Sequence, residues 1–541
     1  MKNAIFSFPL PKNEPVKSYL TGSPERTALD AELARQSSAV IDIPLIIGGK
    51  EIRTGNTGTV VMPHNHKHIL ATYHKAGEKE IKMAIEAALE AHKQWSDLEW
   101  TVRASILLKA ADLLAGKYRT AINAATMLGQ SKNIYQAEID SACETIDFLR
   151  YNVAFASKIY MFQPKSAPGQ INSVEYRALE GFVFCVSPFN FTSIASNLNM
   201  SPVLMGNTTV WKTATTSILS NYYLMKIFME AGLPAGVVNF LCGSGALIGK
   251  HCIESPRLAG IHFTGSCNTF NTLWKQAGEH LSEYRAYPRL AGETGGKDFI
   301  FVHPSADVKE VSIAAYCGAF EYQGQKCSAA SRMYVPVSLW PGFLGEMKGI
   351  ASQISMGDVN DPGNFINAVI DEASFNNIVS YIEYARQAPD AEIVVGGKYD
   401  KTIGYFIEPT VIRTTNPHFK SMEEEIFGPV LTVYVYEDQD LEKAVELCEN
   451  TSPYGLTGAV FGRDRVAVDK ISNTLRYAAG NFYINDKPTG AVVGMQPFGG
   501  SRSSGTNDKA GGEFNLIRWA IPRTVKETLV PSTDYRYDYM K

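Results

Sequence analysis

The sequence lacks the signatures of a disulfide-bonded or zinc-binding protein. Its eight cysteines form no C-x-x-C pair, and none stands at zinc-ligand spacing from a histidine. The cysteines therefore indicate reduced thiols in a reducing compartment, and we expect no bound metal ion.

Long apolar runs are also absent. No stretch approaches the roughly 18 consecutive apolar residues that a membrane-spanning helix requires. The start of the chain has neither the apolar core of a signal peptide nor the arginines of a transit peptide. These absences favour a cytoplasmic protein, or a protein of the mitochondrial matrix only if a presequence has been removed.

A strong charge of either sign is missing as well. The 541 residues include 51 Lys and Arg against 55 Asp and Glu, which gives a net charge of −4. This balance is not typical of proteins that bind nucleic acids or anionic membranes, so we expect a small-molecule substrate as the partner. With 45% hydrophobic residues, the chain has ample length for a large core and for more than one domain.

Hydrophobic periodicity indicates an α/β fold. Apolar residues recur three and four positions apart in residues 78–95, 119–130 and 137–152, which predicts amphipathic helices. From residue 182 to residue 302, short β-branched and aromatic runs alternate with helical stretches, as in a parallel sheet. A second series of the same kind follows Asp307.

Two further regions predict β structure outside these series. Residues 168–178 and 181–186 alternate in polarity as the two strands of a β-hairpin would. Residues 516–529 form a tail with an extended pattern.

Residues 321–332 place a single cysteine on a loop. Gly324 ends the preceding helical pattern, and Cys327 stands between Lys326 and Ser328. The thiolate is the nucleophilic form of cysteine, and the charge of Lys326 would favour it. Most cysteines in globular proteins are instead small buried apolar residues, so this loop alone does not identify a nucleophile.

Other short motifs accompany this loop. A lone carboxylate, Glu293, stands before two glycines, and an amide, Asn190, follows a predicted strand. Taken alone, Asn190 is typical of a turn, and Glu293 is typical of a charge at a helix N-terminus. The remaining motifs are Phe263-Thr264-Gly265-Ser266, Glu425-Ile426-Phe427-Gly428-Pro429 and Pro497-Phe498-Gly499-Gly500.

Together these motifs resemble the aldehyde dehydrogenase superfamily, from about residue 44 to beyond residue 518. The resemblance implies that Cys327 attacks the aldehyde carbon as the nucleophile. It implies that Asn190 and the backbone N–H of Cys327 stabilise the oxyanion. Glu293 would then activate the water that hydrolyses the thioester.

The resemblance also implies an aldehyde dehydrogenase-like α/β architecture. A Rossmann-type, parallel-sheet NAD-binding domain would comprise residues 1–167 and 184–295, and an α/β catalytic domain would comprise residues 296–515. A small β oligomerisation flap would comprise residues 168–183 and 516–541. Because such a flap adds a strand to a neighbour's sheet, it implies a homodimer or a higher homo-oligomer.

NAD is the cofactor that the resemblance implies. Gly265 and Ser266 would open a helix whose N–H groups and dipole suit the pyrophosphate. Lys212 matches the lysine that binds the adenosine ribose hydroxyls. The other cofactor-binding positions are Ser187, Glu425 and Phe427. Many NAD-preferring relatives carry an acid where this chain has Thr215, so the exclusion of NADP stays open.

Within the superfamily, residues 187–199, 290–297, 321–331 and 490–507 resemble the enzymes that oxidise L-glutamate γ-semialdehyde. This substrate is in equilibrium with 1-pyrroline-5-carboxylate, and its oxidation to L-glutamate is the second step of proline catabolism. The implied substrate-binding residues are Ser328, Gly490 and Ala491 for the α-carboxylate, Phe191 and Phe498 for the methylenes, and Glu144 for the α-ammonium.

Three alternatives to this substrate and activity remain at the level of sequence. The chain is a dehydrogenase of another aldehyde, or an acylating dehydrogenase that uses CoA, or a non-enzymatic protein on the same fold. The CoA-dependent class would dispense with Glu293, and a non-enzymatic protein would tolerate the loss of Cys327; both residues are present. Glu144 alone would be interpreted as a solvated helix carboxylate.

Overall fold

The structure is a computed structural model that describes residues 7–541. The targeting prediction rests on residues 1–6, which lie outside the described residues. In the part of the chain that the structure describes, no helix has both the length and the apolar character to cross a membrane.

Helices and short strands alternate along the described chain. The α-helices are α1 (Pro24–Ser37), α2 (Glu78–Trp95), α3 (Trp100–Ala115), α4 (Arg119–Gln130), α5 (Ile134–Ala137), α6 (Thr145–Met161), α7 (Thr192–Leu204), α8 (Ile218–Ala231), α9 (Gly245–Ile253), α10 (Cys267–Glu279), α11 (Val308–Phe320), α12 (Trp340–Ala351), α13 (Glu372–Gln387), α14 (Lys420–Glu423), α15 (Leu441–Asn450), α16 (Arg465–Thr474) and α17 (Glu513–Ile517). The strands are β1 (Ile41–Ile43), β2 (Leu45–Ile47), β3 (Lys50–Ile52), β4 (Thr57–Met62), β5 (Asn65–His74), β6 (Gln170–Arg177), β7 (Phe182–Val186), β8 (Thr208–Lys212), β9 (Val238–Leu241), β10 (Leu258–Thr264), β11 (Arg289–Glu293), β12 (Asp298–Val302), β13 (Ala330–Pro336), β14 (Ser355–Met356), β15 (Asn364–Ile366), β16 (Ala391–Val395), β17 (Tyr399–Asp400), β18 (Phe406–Ile407), β19 (Thr410–Thr414), β20 (Val430–Tyr436), β21 (Tyr454–Gly455), β22 (Thr457–Phe461), β23 (Asn481–Ile484), β24 (Ser501–Arg502) and β25 (Ile521–Thr528).

The first of two seven-stranded sheets has the order β11-β10-β7-β8-β9-β2-β3. Strands β11 to β9 are parallel, and β2 and β3 extend the sheet in antiparallel fashion. Ligands of such sheets bind beyond the carboxyl ends of the strands. At these ends lie Ser187 after β7, Lys212 on β8, Gly265 after β10 and Glu293 on β11.

The second sheet has the order β16-β19-β20-β13-β12-β22-β23, and all pairs except β16–β19 are parallel. Both faces of its central strands are buried, as parallel sheets require. Strand β13 begins directly after the cysteine loop, which therefore leads into the centre of this sheet. The predicted α/β class with parallel sheets is confirmed; the domain boundaries remain a prediction.

One predicted helix has a different internal structure. Within residues 137–152, a π-helical segment, Glu138–Glu144, lies between α5 and α6. Hydrophobic spacing did not reveal it, because one widened turn changes the period very little over so short a stretch. π-Helical segments frequently mark functional sites, and this one carries Asp140 and Glu144.

The predicted hairpin of residues 168–186 is wrong. Strand β6 pairs antiparallel with β25, from Gln170 opposite Thr528 to Arg177 opposite Ile521. Strand β7 lies instead between β8 and β10 in the first sheet. The physical reason is burial: β7 is buried almost throughout and needs neighbours on both edges, whereas β6 is largely exposed.

The predicted extended tail begins too early. Residues 513–517 form α17, and Trp519 and Ala520 are fully buried, so the strand starts only at Ile521. The Trp519 ring packs on His262, with 4.6 Å between the ring centroids. Residues 516–520 therefore belong to the core beside the first sheet.

Candidate active site

A cavity of about 350 Å³ brings together eight of the predicted catalytic and substrate-binding residues. Strand ends of the first sheet, the cysteine loop, α6 and the loop before β24 all contribute to its walls. The predicted site residues that line it are Glu144, Phe191, Glu293, Cys327, Ser328, Gly490, Ala491 and Phe498.

A tight turn presents the cysteine loop to this cavity. Tyr322, Gln323 and Gly324 have left-handed φ values of 50°, 55° and 65°. A Cβ atom on Gly324 would lie 2.2 Å from the carbonyl oxygen of Gly428, so only glycine fits here. In the described part of the chain, the backbone N–H of Cys327 donates no hydrogen bond, which leaves it available to a ligand.

Lys326 does not have the role predicted for it. Its ammonium lies 2.9 Å from the Glu321 carboxylate, which also binds Lys487 at 2.7 Å. Desolvation raises the pKa of the Cys327 thiol, and the nearby carboxyl groups of Asp298, Glu293 and Glu425 raise it further. The thiol is therefore protonated at neutral pH until a base or a bound cation favours the thiolate.

Asn190 is buried and lies two residues before the start of α7. Its Nδ2 donates to the carbonyl oxygen of Gln325 at 3.1 Å, which fixes the amide against the cysteine loop. An amide nitrogen has two hydrogens, so one remains for an oxyanion.

A buried ion pair that sequence reasoning missed supports this region. Asp140 accepts hydrogen bonds from the backbone N–H groups of Thr192 and Ser193, at 3.1 and 2.9 Å, and thereby caps α7. Its partner is the Lys132 ammonium at 2.6 Å, which lies 4.2 Å from the centroid of the Phe191 ring. Lys132 lies in the connection between α4 and α5, eight residues before Asp140, and no local sequence pattern indicates that the two are in contact.

Glu293 occupies the end of β11. Its Oε2 accepts a hydrogen bond from the backbone N–H of Gly500 at 3.0 Å. Desolvation raises the pKa of Glu293 well above its usual value, and Asp508 raises it further, although Gly500 and Lys509 oppose the shift. Burial therefore favours the neutral form of this carboxyl group, and rising pH favours the ionised form that acts as a base.

Glu425 and Phe427 lie in a smaller, separate cavity beside the cysteine loop. Glu425 Oε1 accepts from the backbone N–H of Gly296 at 3.0 Å, and desolvation raises the pKa of Glu425 to about 7. A Cβ atom on Gly295 would lie 2.2 Å from this carboxylate, so a larger residue there would displace the Glu425 side chain. Phe427 has a left-handed φ of 57°.

The Lys212 ammonium group is removed from solvent at the end of β8. Burial lowers the pKa of Lys212, and among the described residues no hydrogen-bond or ion-pair partner occupies it. Its side chain lies against Gly245, where a Cβ atom would be 3.5 Å from Lys212 Cε. Such a group fits the hydroxyls of a bound ribose.

The remaining predicted cofactor residues, Ser187, Gly265 and Ser266, make hydrogen bonds to other residues of the chain. Ser266 caps α10, with its Oγ accepting from the Thr269 N–H at 3.3 Å. The N–H of Gly265 donates to the carbonyl oxygen of Glu293 at 3.2 Å. The Ser187 hydroxyl accepts from the indole N–H of Trp211 at 2.9 Å. The side chain of Ser187 therefore orients the strand end.

One end of the large cavity is suited to an anion. The backbone N–H groups of Gly490 and Ala491 donate no hydrogen bond in the described part of the chain. Ser328 Oγ lies 2.8 Å from Thr489 Oγ1, and Gly490 has a φ of 94°, a conformation that favours glycine. Sequence reasoning missed Thr489, which is adjacent to Gly490.

Glu144 ends the π-helical segment and faces the same cavity. Its Oε2 accepts from the Ser193 hydroxyl at 2.8 Å. Desolvation raises the pKa of Glu144 to about 8, and the nearby charge of Asp140 contributes to the shift. A cationic ligand in the cavity would therefore stabilise the ionised form of this carboxyl group.

The fold and the site define a cysteine-dependent enzyme with two parallel-sheet α/β units, of the kind that binds a dinucleotide at strand ends. A model of the aldehyde dehydrogenase family matches residues 52–525. The chain belongs to the aldehyde dehydrogenase family.

Several relatives match over nearly the whole chain. The delta-1-pyrroline-5-carboxylate dehydrogenase of Dictyostelium discoideum, named as mitochondrial, is 51% identical over 99% of this chain and 96% of its own. The human protein of the same name is 48% identical over 98% of this chain and 94% of its own. The Mycobacterium tuberculosis structure of Delta-pyrroline-5-carboxylate dehydrogenase bound with NAD superposes with a TM-score of 0.96, 48% identity and full coverage of both chains.

Proposed function

We propose that this chain oxidises L-glutamate γ-semialdehyde to L-glutamate with NAD. The observation that carries the proposal is the composition of one cavity. It holds the Cys327 thiol, the Ser328 hydroxyl, the Glu144 carboxyl group, and the N–H groups of Gly490 and Ala491, which donate no hydrogen bond among the described residues. These groups match the aldehyde, the α-carboxylate and the α-ammonium of one amino-acid substrate, and the relatives named above support the same activity.

The first half of the reaction forms a thioester. The Cys327 thiol first loses its proton to solvent water. Its sulfur then bonds to the aldehyde carbon, and the carbonyl π electrons move to oxygen. The Asn190 amide and the Cys327 backbone N–H bind that oxygen. The hydride of the adduct would leave to bound NAD, held by Lys212, Ser266 and Glu425, which would supply the hydride acceptor. The product on the chain is an acyl group bonded to sulfur.

The second half hydrolyses the thioester. Glu293 takes a proton from water, and the resulting hydroxide bonds to the acyl carbon. The carbon–sulfur bond then breaks, which returns its electrons to Cys327 and releases glutamate. In sum, aldehyde, water and NAD give carboxylate, NADH and protons.

The cofactor residues follow from position and contacts. Lys212 would bind the adenosine ribose hydroxyls, because its ammonium is desolvated and has no partner among the described residues. Ser266 opens α10 toward the pyrophosphate, and Glu425 would bind the nicotinamide ribose from beside the cysteine loop. The presence of Thr215 leaves NADP as an alternative cofactor.

We further propose that the chain forms a homodimer or a higher homo-oligomer. The support is the β6–β25 ribbon, which is exposed along almost all of β25. The eight free cysteines support a reducing compartment, the cytoplasm or the mitochondrial matrix.

The substrate proposal is tested by removing the anion-binding groups singly. Ala491→Pro deletes one N–H donor, Ser328→Ala deletes the hydroxyl, and Ala491→Ser is the control that keeps the N–H. A hydrogen bond to a charged group contributes about tenfold to a hundredfold in affinity. Both deletions should raise KM for glutamate semialdehyde by this factor and leave propanal oxidation nearly unchanged.

The measurement is kcat/KM for each aldehyde in each variant. Equal losses for the two aldehydes would show that Ala491 and Ser328 support the site generally. The substrate would then be another aldehyde, which is the second candidate function.

A further inference from the structure

An N-terminal arm, residues 7–22, crosses the cavity wall and carries an amide whose hydrogen-bonding groups are all used. Asn13 Nδ2 donates to Asp147 Oδ2 and to the carbonyl oxygen of Val493, at 2.8 Å in both cases. Its Oδ1 accepts from the Tyr151 hydroxyl at 3.0 Å. One side chain therefore joins the arm, helix α6 and the loop that contains Val493.

That loop, residues 488–497, is the one whose N–H groups are proposed to bind the α-carboxylate. It has no helix or strand of its own, so its position depends on such contacts. It also packs directly on α6: a Cβ atom on Gly494 would lie 2.2 Å from Tyr151 Cε1. The Asn13 contacts and the Gly494 approach fix the same short segment against the same tyrosine.

The arm is itself fixed firmly enough to act as an anchor. The Glu14 backbone N–H donates to Asp147 at 2.8 Å, and the Glu14 carboxylate binds Arg150 at 2.7 Å and also Arg119. Three arm residues, Asn13, Glu14 and Val16, line the cavity. The arm lies outside residues 52–525, so the family match assigns it no role.

We propose that Asn13 is a positioning residue for substrate specificity: it holds loop 488–497 against α6 so that the Gly490 and Ala491 N–H groups face the substrate's α-carboxylate. This inference rests on the proposed substrate. Asn13 acts through the loop and does not touch the reacting atoms at Cys327. Loss of the amide therefore affects recognition of the amino-acid end and leaves the chemistry of the aldehyde end intact.

The test compares Asn13→Ala with Lys12→Ala, its exposed neighbour, in the full-length chain. Asn13→Ala should raise KM for glutamate semialdehyde about tenfold, with kcat unchanged. The reason is that a displaced loop loses a hydrogen bond from Gly490 or Ala491 to the charged α-carboxylate. Propanal kinetics should match wild type, and Lys12→Ala should match wild type for both aldehydes. Tyr151→Phe, which keeps the ring, should give a smaller increase of the same kind.

A second measurement reports on the loop itself. Hydrogen–deuterium exchange of peptides covering residues 488–497 should speed up in Asn13→Ala and in Gly494→Ala, and not in Lys12→Ala. Unchanged exchange in Asn13→Ala would overturn the proposal, as would equal KM increases for both aldehydes. If wild type shows no preference for the semialdehyde, the proposed substrate fails, and the exchange result still decides whether Asn13 holds the loop.

Discussion

At the scale of single residues, the site is a cluster of carboxyl groups around the Cys327 thiol. Sequence motifs identified Cys327, Glu293 and Glu425, because each stands in a short characteristic stretch. Their protonation states depend on burial and on neighbours far away in sequence, such as Asp298 and Asp508. The sequence was therefore sufficient to identify the members of the cluster, but the structure was needed to infer their protonation states.

Glu293→Gln should separate the two halves of the reaction. The amide accepts no proton, so the thioester accumulates after about one NADH per site, and steady-state turnover falls about 10²–10⁴-fold. Rapid mixing with detection of NADH measures the burst. Wild-type hydrolysis should rise with pH, since desolvation raises the pKa of Glu293 and only the ionised form is a base. An undiminished, burst-free rate in the variant would disprove the assignment.

The raised pKa of Glu144 predicts that folding stability depends on pH. Its pKa is raised from 4.5 to about 8, so between these values the unfolded chain is ionised and the folded chain still binds the proton. Folding then becomes less favourable as pH rises, by at most about 1.4 kcal/mol per pH unit. Glu144→Gln removes this dependence, and its thermal midpoint relative to wild type should increase from pH 5 to pH 8. A constant difference over that range would contradict the assigned pKa.

At the scale of elements, sequence periodicity predicted helices better than strand partners. Residues 78–95 and 119–130 form α2 and α4 with the predicted bounds, because their apolar faces have the helical period. Alternation identified β6 as a strand, but it carries no information about which strand lies beside it. The partner proved to be β25, more than 340 residues away.

The Lys132–Asp140 pair is expected to hold the start of α7 in place. Asp140→Asn keeps one of the two oxygens that accept from the N–H groups of Thr192 and Ser193, but it leaves a buried ammonium without its counter-charge. Removing one partner of a buried pair typically costs about 3–5 kcal/mol. Denaturant unfolding measures the loss. The double variant Lys132→Met with Asp140→Asn has the same amide at position 140 and leaves no unpaired charge, so it should lose less; an equal or greater loss would argue against the charge as the cause.

At the scale of the whole molecule, the predicted cavity residues came from stretches that the fold brings together at strand ends. What the sequence did not predict are the supports around them: Asn13, Lys132 and Thr489. Each acts through a contact with a residue distant in sequence or through a backbone group. Such contacts have no local pattern, so only the assembled structure reveals them.

The β6–β25 ribbon has one covered edge and one free edge. Gln163 and Ser166 bind backbone groups of Val174 and Asn172, which covers the outer edge of β6. Along residues 521–528, the outer edge of β25 has no hydrogen bond in the described part of the chain. An isolated two-stranded ribbon is marginally stable, and a free edge is a template for another strand. Strand β25 is therefore the expected contact with a second copy.

Truncation before Pro522 tests this contact without damaging the core. A longer truncation that starts at Arg518 is unsuitable, because it would also remove the fully buried Trp519 and the Arg518 bond to the Leu290 carbonyl oxygen. The truncated chain should therefore fold and sediment as a monomer of slightly less than the 59.4 kDa of the full chain. The control ends after Leu529, which keeps β25, and should sediment like the full-length protein. Dissociation of the control would place the contact in residues 530–541, and an unchanged profile for both would exclude the ribbon as the interface.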